Sequence, residues 1–466
     1  MGKGNTDAKD LKKSLFSNKK NAGLILKDDE IKKADKFCEK YKSFLDVSKT
    51  EREAVEYAIK SLEENGFKEY KAGMELNAGD KIYYNNRGKA VIASVIGSDP
   101  IENGINLCVA HIDSPRLDLK QCPVYEESEL ALFKTHYYGG IKKYQWAAIP
   151  LSLHGVIVKA DNTKITINIG EEEGDPVFCV NDLLPHLAVD QMKRNLAEGI
   201  KGEELNILIG SRPFKDDEIS EKVKLNILKI LNEKYGIVED DFISAEIEAV
   251  PAFKARDIGF DRSMIGAYGH DDRVCAYTTF QAILKCKNPK KTAMVVLADK
   301  EETGSDGNTG LRSAYLKYFI EDLAKGFGVE GRTVLSNSEC LSADVNAAFD
   351  PTFPDVLEKR NAAYINYGVV VTKFTGSRGK AGTSDASAEF VGKIRKIFNE
   401  NKIIWQTGEL GRVDLGGGGT VAAYVANLDV DTIDVGVPVL SMHSPYEIVS
   451  KLDVYMAYKA FSAFMS

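Results

Sequence analysis

The stretch AMVVLADKEETGS, residues 293–305, joins a short apolar run to a pair of carboxylates. Residues 293–298 are apolar and include β-branched side chains, which predicts a buried strand. Glu301 and Glu302 follow where that strand ends, and ligands of open α/β sheets collect at the carboxyl ends of strands. Because like charges at short range disfavour each other, the pair indicates a divalent metal ion, with one glutamate as ligand and the other as general base. A solvated pair in a loop is the alternative, so the choice depends on further ligands elsewhere in the chain.

Length and composition narrow the class of protein. The 466 residues exceed what one compact core usually holds, which predicts two domains or one domain with an insertion. A net charge of -8 argues against general nucleic-acid binding, and no apolar run approaches the length that spans a bilayer. The seven cysteines form no C-x-x-C pair, and the Lys-rich N-terminus lacks the apolar core of a secretory signal. These features predict a cytoplasmic protein with reduced thiols and without a membrane partner.

Two patterns alternate along the chain. Residues 81–96 show a hairpin pattern, and residues 105–110 form the next predicted buried strand. From about residue 121 strand-like alternation dominates, followed by predicted helices over residues 183–200 and 220–235, and the first pattern returns near Gly259. We therefore predict an α/β fold, with a mixed sheet flanked by helices. Its catalytic domain would comprise residues 1–120 and 256–466, and a β-rich domain over residues 121–255 would be inserted into it.

Ligand-type side chains recur after the predicted strands. His111 and His443 follow apolar runs, and acidic residues stand in matching places at Asp113, Asp271, Asp272, Glu301, Glu302 and Asp344. Histidines and carboxylates without thiolates are typical of catalytic zinc, manganese or cobalt. Asp271 lies between the two halves of this set in sequence, so it is the natural candidate for a carboxylate shared by two ions. Each residue alone has a common structural role, such as a helix N-cap for Asp271. Together they favour a metal centre.

The same residues resemble the M18 family of metallo-aminopeptidases, the aspartyl aminopeptidase group in its bacterial form. The similarity covers nearly the whole chain in order and spacing, through the motifs HIDSP at 111–115, DDR at 271–273, EETGS at 301–305, SAD at 342–344 and SMHS at 441–444. Within the predicted insertion, YGG at 138–140 and PHLA at 185–188 look like the family as well. The resemblance implies a zinc-peptidase fold and the removal of the N-terminal residue of peptides, and it leaves a preference for acidic first residues open.

The resemblance also implies a cofactor and roles for individual residues. It implies two divalent metal ions, zinc in the first place and manganese or cobalt as alternatives. Asp271 would bridge them, Glu301 would be the general base, and Asp113 would orient the imidazole of His111 through its far nitrogen. The remaining ligands would be His111 and Asp344 for one ion and Glu302 and His443 for the other.

Further expectations concern assembly and the substrate pocket. The resemblance implies that the insertion mediates dimerisation within a homo-oligomer, and that the assembly can be a dodecamer. His186 would reach a neighbouring active site or would pack within its own helix; Asp190 stands where the eukaryotic members carry a second histidine. The backbone near Gly418, Gly419 and Thr420 would line the substrate pocket. Of the basic residues nearby in sequence, Arg378, Lys380 and Arg412, each would pair with an acidic substrate side chain or would be solvated at the surface, and Lys380 is the one assigned to the pocket.

Two rival functions stay open at this point. Another cocatalytic metallohydrolase, such as a carboxypeptidase, dipeptidase or deacylase, would use the same ligand set. It would need an arginine-type anchor for a substrate carboxylate instead of a pocket for a free amine. A non-enzymatic member of the family would be expected to have lost Glu301 or one of the ligands, and the sequence retains all of them.

Overall fold

A nine-stranded mixed sheet forms the centre of the chain. The computed structural model describes residues 7–17, 19–379 and 381–466. In spatial order the strands of this sheet are Lys68–Glu69, Lys81–Asn86, Ala90–Val95, Thr292–Ala298, Ile105–His111, Glu339–Ser342, Asp431–Gly436, Val369–Thr372 and Trp405–Thr407. Their pairing is partly parallel and partly antiparallel, so the predicted mixed sheet is confirmed.

Helices cover both faces of this sheet, as predicted. Side chains of Thr292–Ala298 alternate between two apolar cores, with Val295 and Leu297 in one and Met294 and Val296 in the other. That alternation follows from the two-residue repeat of a strand that is buried on both faces. The helices among the described residues are Ala8–Leu15, Asp28–Val47, Glu51–Glu64, Lys222–Tyr235, His270–Lys285, Tyr315–Gly326, Gly331–Ser336, Ala388–Glu400, Ala422–Ala426 and Lys451–Phe464. Of these, Lys222–Tyr235 packs against strands outside the central sheet.

A second sheet of seven strands, all antiparallel, lies between Ile105–His111 and His270–Lys285 in the sequence. It has its own apolar core, in which the Trp146 side chain is fully buried. Its strands, in spatial order, are Lys164–Ile169, Leu151–Val158, Ala245–Pro251, Arg116–Glu127, Leu130–Tyr138, Ile207–Gly210 and Cys179–Val180. The predicted β-rich character of this region is confirmed, whereas domain limits at residues 121 and 255 stay a prediction.

Smaller elements complete the described part of the chain. A five-stranded sheet comprises Arg256–Ile258, Met264–Ala267, Glu447–Ser450, Pro438–Leu440 and Asn346–Ala347, and Gly376–Ser377 pairs with Gly417–Gly418. The 3-10 turns are Ala22–Leu24, Ile101–Asn103, Lys143–Trp146, Gln191–Lys193, Gly202–Glu204, Glu239–Ser244, Glu301–Thr303 and Pro354–Val356. Within the described residues, no helix combines the length and the apolar character that crossing a membrane would require.

The helix predicted over residues 183–200 is wrong. The structure has turns there and only the short 3-10 helix Gln191–Lys193. The apolar side chains that suggested the helix face outward, with Leu187 70% and Leu196 67% exposed. An amphipathic helix gains most of its stability from burying its apolar face, and the described residues offer no surface that covers Leu187 or Leu196.

A buried histidine joins the second sheet to a helix of the first. His154 lies on Leu151–Val158 with its Nδ1 2.7 Å from Glu53 Oε1, and its Nε2 is 3.1 Å from Glu171 Oε1. Glu53 belongs to the helix Glu51–Glu64, whereas Glu171 follows the strand Lys164–Ile169. Burial opposes a charged imidazole, but the hydrogen bonds to Glu171 and Glu53 outweigh it and raise the pKa of His154 above its ordinary value. The joint is therefore strongest when His154 is protonated.

Replacing His154 with glutamine tests this joint. A group whose pKa is raised on folding stabilises the fold fully below its unfolded pKa of about 6.5, and that contribution is lost as pH rises through the folded pKa. We expect His154→Gln to lower the free energy of unfolding by about 2 kcal/mol at pH 6, and by less at pH 9. Urea unfolding at both pH values measures the free energy of unfolding. The control is His136→Gln, since His136 is an exposed residue of the same sheet. An equal loss of unfolding free energy at both pH values would contradict a stabilising role of the protonated His154.

Candidate metal centre

Neighbouring parallel strands bring three of the predicted ligand segments to one edge of the central sheet. Thr292–Ala298 pairs in parallel with Ile105–His111, from Thr292 opposite Ile105 to Ala298 opposite His111. Glu339–Ser342 pairs in parallel with the other side of Ile105–His111. The strand Glu339–Ser342 ends there, and the next strand begins at Asn346 in the five-stranded sheet, which leaves a break between them. Asp344 lies in that break.

Asp271 lies between the two predicted histidine ligands. Its Oδ1 is 3.2 Å from His111 Nε2, and its Oδ2 is 3.1 Å from His443 Nε2. Asp271 lies in the first turn of the helix His270–Lys285 with a non-helical backbone, and its peptide bond to Asp272 is cis. Each oxygen of one carboxylate therefore faces a different imidazole, which is the arrangement that a shared ligand requires.

The predicted ligands form two overlapping groups, His111, Asp271, Asp344 and Asp271, Glu302, His443, and within each group the ligand atoms lie within 4.8 Å of one another. A third group at the same spacing joins Glu301 to His111 and Glu302. Glu301 is close by, with its Oε2 3.9 Å from His111 Nε2. The structure thus brings together all five predicted ligands and the predicted base, and Asp271 is common to both groups.

Electrostatics at this edge favour a cation. Burial, followed by the charge of Asp271, raises the pKa of Glu302 well above its ordinary value. Burial and then the charge of Asp272 do the same for Asp344. For Asp271 burial acts in the same direction, but hydrogen bonds from His111 and His443 outweigh it and hold its pKa below the usual range. The cluster is therefore short of positive charge.

An unpartnered buried oxygen shows that the donor set fits a metal ion. Glu302 Oε1 is buried without a hydrogen-bond partner in the described part of the structure, although buried polar atoms are nearly always satisfied. Carboxylate and imidazole donors, with no thiolate among them, suit zinc, manganese and cobalt. The residues present therefore fit one or more divalent ions.

Hydrogen bonds fix the ring orientation of both histidines. His111 Nδ1 is 3.0 Å from the backbone oxygen of Asp113, and His443 Nδ1 is 2.9 Å from the backbone oxygen of Gly140. A ring whose Nδ1 donates to a carbonyl can bind a metal ion through its Nε2 once that nitrogen has lost its proton. The carboxylate of Asp113 is 3.4 Å from His111 Nδ1, so the backbone of Asp113 is the closer partner of this ring.

Two carboxylates hold ligand-bearing segments through backbone N–H groups. Asp113 accepts the N–H of Glu301 and the N–H of Glu302, each at 3.1 Å. Glu447 accepts the N–H of Asp271 at 3.0 Å and that of His443 at 2.7 Å. Sequence reasoning missed Glu447, whose only signal is its place four residues after His443.

A cavity of about 240 Å³ opens beside the two ligand groups. Glu301 and Asp344 form part of its wall, together with the apolar side chains of Phe374 and Met442. The predicted pocket residues Gly418, Gly419 and Thr420 also line it. Lys380 lies outside the described residues. The cavity therefore adjoins both ligand groups and the predicted general base.

His186 lies apart from this centre in the described structure. It stands exposed in the turns of residues 183–200, and none of the ligand groups includes it. The expectation that it packs within its own helix is wrong, because no helix forms there. A role in a neighbouring subunit's site stays a prediction.

Comparisons with known proteins show the family of the chain. The family model described as aminopeptidase I zinc metalloprotease (M18) matches residues 44–465. A probable M18 family aminopeptidase 1 of Clostridium acetobutylicum is 50% identical over 460 residues, which is 97% of this chain and 99% of the relative. The crystal structure of an M18 aminopeptidase from Thermotoga maritima superposes with a TM-score of 0.92 at 46% identity, over 97% of this chain and 100% of that one.

More distant structures share the fold. The mApe1 dodecamer of S. cerevisiae has a TM-score of 0.74 at 21% identity, over 92% of this chain and 95% of that one. The family model and the relative at half identity extend over nearly all of the sequence that carries the ligand groups. The chain therefore belongs to the M18 family of zinc metalloproteases and is a metallo-aminopeptidase.

Proposed function

We propose that the chain removes the N-terminal residue of peptides at a centre that holds two divalent metal ions. The observation that carries this proposal is the position of Asp271, whose two carboxylate oxygens face the imidazoles of His111 and His443. A carboxylate placed in this way can serve two ions at once. His111 and Asp344 would complete one site, and Glu302 and His443 the other.

Ions held by these residues would act as Lewis acids. Divalent ions of this kind, when bound, polarise a scissile carbonyl and make water a stronger acid. We propose zinc, in line with the family, and the same donors accept manganese or cobalt. The carboxylates supply the negative charge that balances such ions. Backbone carbonyl groups hold the rings of the two histidines in place.

Glu301 is our proposed general base. Its side chain lines the cavity and is 20% exposed, whereas that of Glu302 is 3% exposed. Neither of the two three-residue groups that contain Asp271 needs Glu301, so its carboxylate stays free to accept a proton and to pass it to the leaving amine. Asp113 holds the backbone of Glu301 by accepting its N–H.

The wall of the cavity favours a free amine over a free carboxylate in the substrate. Among the described residues that line it there is no arginine or lysine, while Glu301, Asp344 and Asp434 contribute carboxyl groups. A carboxypeptidase would need a cation at this place. The preference for acidic first residues rests on the family resemblance, and Lys380 is the cation that it would use.

We also propose that the chain forms a cytoplasmic homo-oligomer. Its largest assembly would be a dodecamer, as in the yeast mApe1 structure that shares its fold. The predicted inserted region carries exposed apolar side chains that a partner subunit could cover, among them Val177, Leu187, Met192 and Ile243. His186 stands beside Leu187 and would be carried to the same interface. A closed shell of subunits would restrict access to short peptides.

Separate replacement of the two glutamates tests the division of their roles. We expect Glu301→Gln to keep metal binding and to lower kcat by about 10²–10⁴-fold, because only the proton acceptor is lost. We expect Glu302→Gln to weaken metal binding itself, by about 10-fold or more. Bound metal measured by mass spectrometry, beside hydrolysis of leucyl- and aspartyl-p-nitroanilide with zinc, manganese or cobalt, reads out both effects.

Each possible result has a clear meaning. Loss of metal in Glu301→Gln would place this residue among the ligands and remove it as the base. Hydrolysis of N-acetylated peptides in preference to peptides with a free amine would favour a deacylase or carboxypeptidase instead. Release of leucine faster than aspartate would keep the mechanism and discard the acidic preference.

Gly436 offers an independent test of Asp344 as a ligand. A Cβ added at Gly436 would lie 1.7 Å from the backbone oxygen of Asp344, so Gly436→Ala must displace that residue. We expect metal affinity to fall by about 10-fold or more. Gly392→Ala is the matched control, since an added Cβ there has nothing within 4 Å. Unchanged affinity in Gly436→Ala would remove Asp344 from the ligand set.

A further inference from the structure

We propose that Tyr138, Gly139 and Gly140 form a positioning element for both metal sites of their own chain. These residues lie where the strand Leu130–Tyr138 of the second sheet ends. The inference rests on the proposed metal ligation, and it adds to that ligation a role for the second sheet within a single subunit. Each of the three residues contacts a different part of the centre.

The hydroxyl group of Tyr138 fixes the carboxylate of Asp113. Its O–H donates to Asp113 Oδ2 at 2.7 Å, and Asp113 is completely buried. The same carboxylate accepts the N–H groups of Glu301 and Glu302. Tyr138 therefore acts through Asp113 on the loop that carries the proposed base Glu301 and the proposed ligand Glu302.

The aromatic ring of Tyr138 has a separate contact. The guanidinium of Arg116 lies 3.9 Å from the centroid of this ring. Arg116 begins the strand Arg116–Glu127, which pairs with Leu130–Tyr138. This contact holds the ring whether or not the hydroxyl is present. The hydroxyl and the ring can therefore be tested separately, because phenylalanine keeps the ring and removes only the donor.

The two glycines touch the other proposed site. Gly140 accepts a hydrogen bond at its backbone oxygen from His443 Nδ1, at 2.9 Å. Gly139 has a φ of 77°, and a Cβ added there would lie 3.2 Å from Glu302 Oε2 and 3.3 Å from Pro115 Cβ. The backbone thus passes so close to Glu302 and His443 that a side chain at Gly139 would crowd the ligand.

Together, the contacts of Tyr138, Gly139 and Gly140 orient ligands of both proposed metal sites from one short segment of the chain. Outer partners of metal ligands commonly change metal affinity or activity by about 10–100-fold when they are removed. A segment that merely packed against the site would affect the stability of the fold and leave metal affinity and turnover as they are. Metal affinity and turnover therefore separate a positioning role from a packing role.

The first experiment compares Tyr138→Phe with Tyr137→Phe in the full-length protein. Tyr137 is the adjacent residue of the same strand and is 41% exposed, with no contact to the ligand groups in the described structure. Zinc dissociation constants are measured by competition with a chromophoric chelator, and kcat and KM by hydrolysis of leucyl-p-nitroanilide. Melting temperatures are measured on the metal-free proteins.

For Tyr138→Phe we expect zinc affinity and kcat each to fall by about 10-fold, KM to stay within about twofold, and the metal-free melting temperature to stay unchanged. Tyr137→Phe should match the parent protein in all of these measurements.

A second pair of variants tests the close approach of the backbone. Gly139→Ala should weaken zinc binding by about 10-fold or more, because the added Cβ crowds Glu302. Gly66→Ala is its control, since Gly66 has a similar φ of 82° and nothing within 4 Å of an added Cβ. Loss of affinity in Gly139→Ala alone supports the inference.

The outcomes separate this inference from the function on which it rests. Parent protein that binds no zinc, manganese or cobalt and releases neither leucine nor aspartate would overturn the proposed function, and this inference with it. A working parent whose Tyr138→Phe and Gly139→Ala variants keep full zinc affinity would overturn the positioning role alone. A lower metal-free melting temperature in Tyr138→Phe, with affinity and kcat unchanged, would assign Tyr138 to packing and overturn the positioning role as well.

Discussion

Repulsion among buried carboxyl groups is the constraint on which the rest of this structure depends. Asp271, Glu302 and Asp344 lie close together at one edge of the central sheet, with only two imidazoles among them. Removing a charge from water is costly unless an opposite charge accompanies it. A chain that places such groups together must hold protons on them or bind cations. Metal binding and the final shape of this edge are therefore coupled.

The fold meets this constraint mainly through its backbone. Asp113 and Glu447 each accept two N–H groups, and the four donors belong to residues of the centre. The two histidines are held by carbonyls, one of which comes from the second sheet. Ligand direction is consequently set by hydrogen bonds that form as the sheets assemble.

The sequence predicts most of this arrangement because its strongest signals are local. The apolar runs at residues 105–110 and 293–298 are strands, since a continuous buried run has few other outcomes in an α/β protein. The hairpin over residues 81–96 forms as well, with Lys81–Asn86 antiparallel to Ala90–Val95. The candidate ligands follow from their places after such runs.

Contacts between distant segments escape the same reasoning. Glu447 accepts the N–H of a residue 176 positions away, and no pattern around Glu447 reveals it. Gly140 acts through a backbone oxygen, which every residue has. The failed helix over residues 183–200 shows the opposite error, because helical spacing of apolar side chains predicts a helix only where a surface exists to cover them.

The register between Thr292–Ala298 and Ile105–His111 has a consequence for chimeras with related proteins. Seven residue pairs run from Thr292 opposite Ile105 to Ala298 opposite His111 without a bulge. Deleting one residue from either strand would exchange its two faces, since side chains alternate with a period of two. Val295 and Leu297 would then point into the opposite core, and Glu301 would lose its place beside His111. Recombination between homologues can therefore tolerate many substitutions in these strands but no change in their length, whereas the exposed turn at residues 160–163 can absorb one.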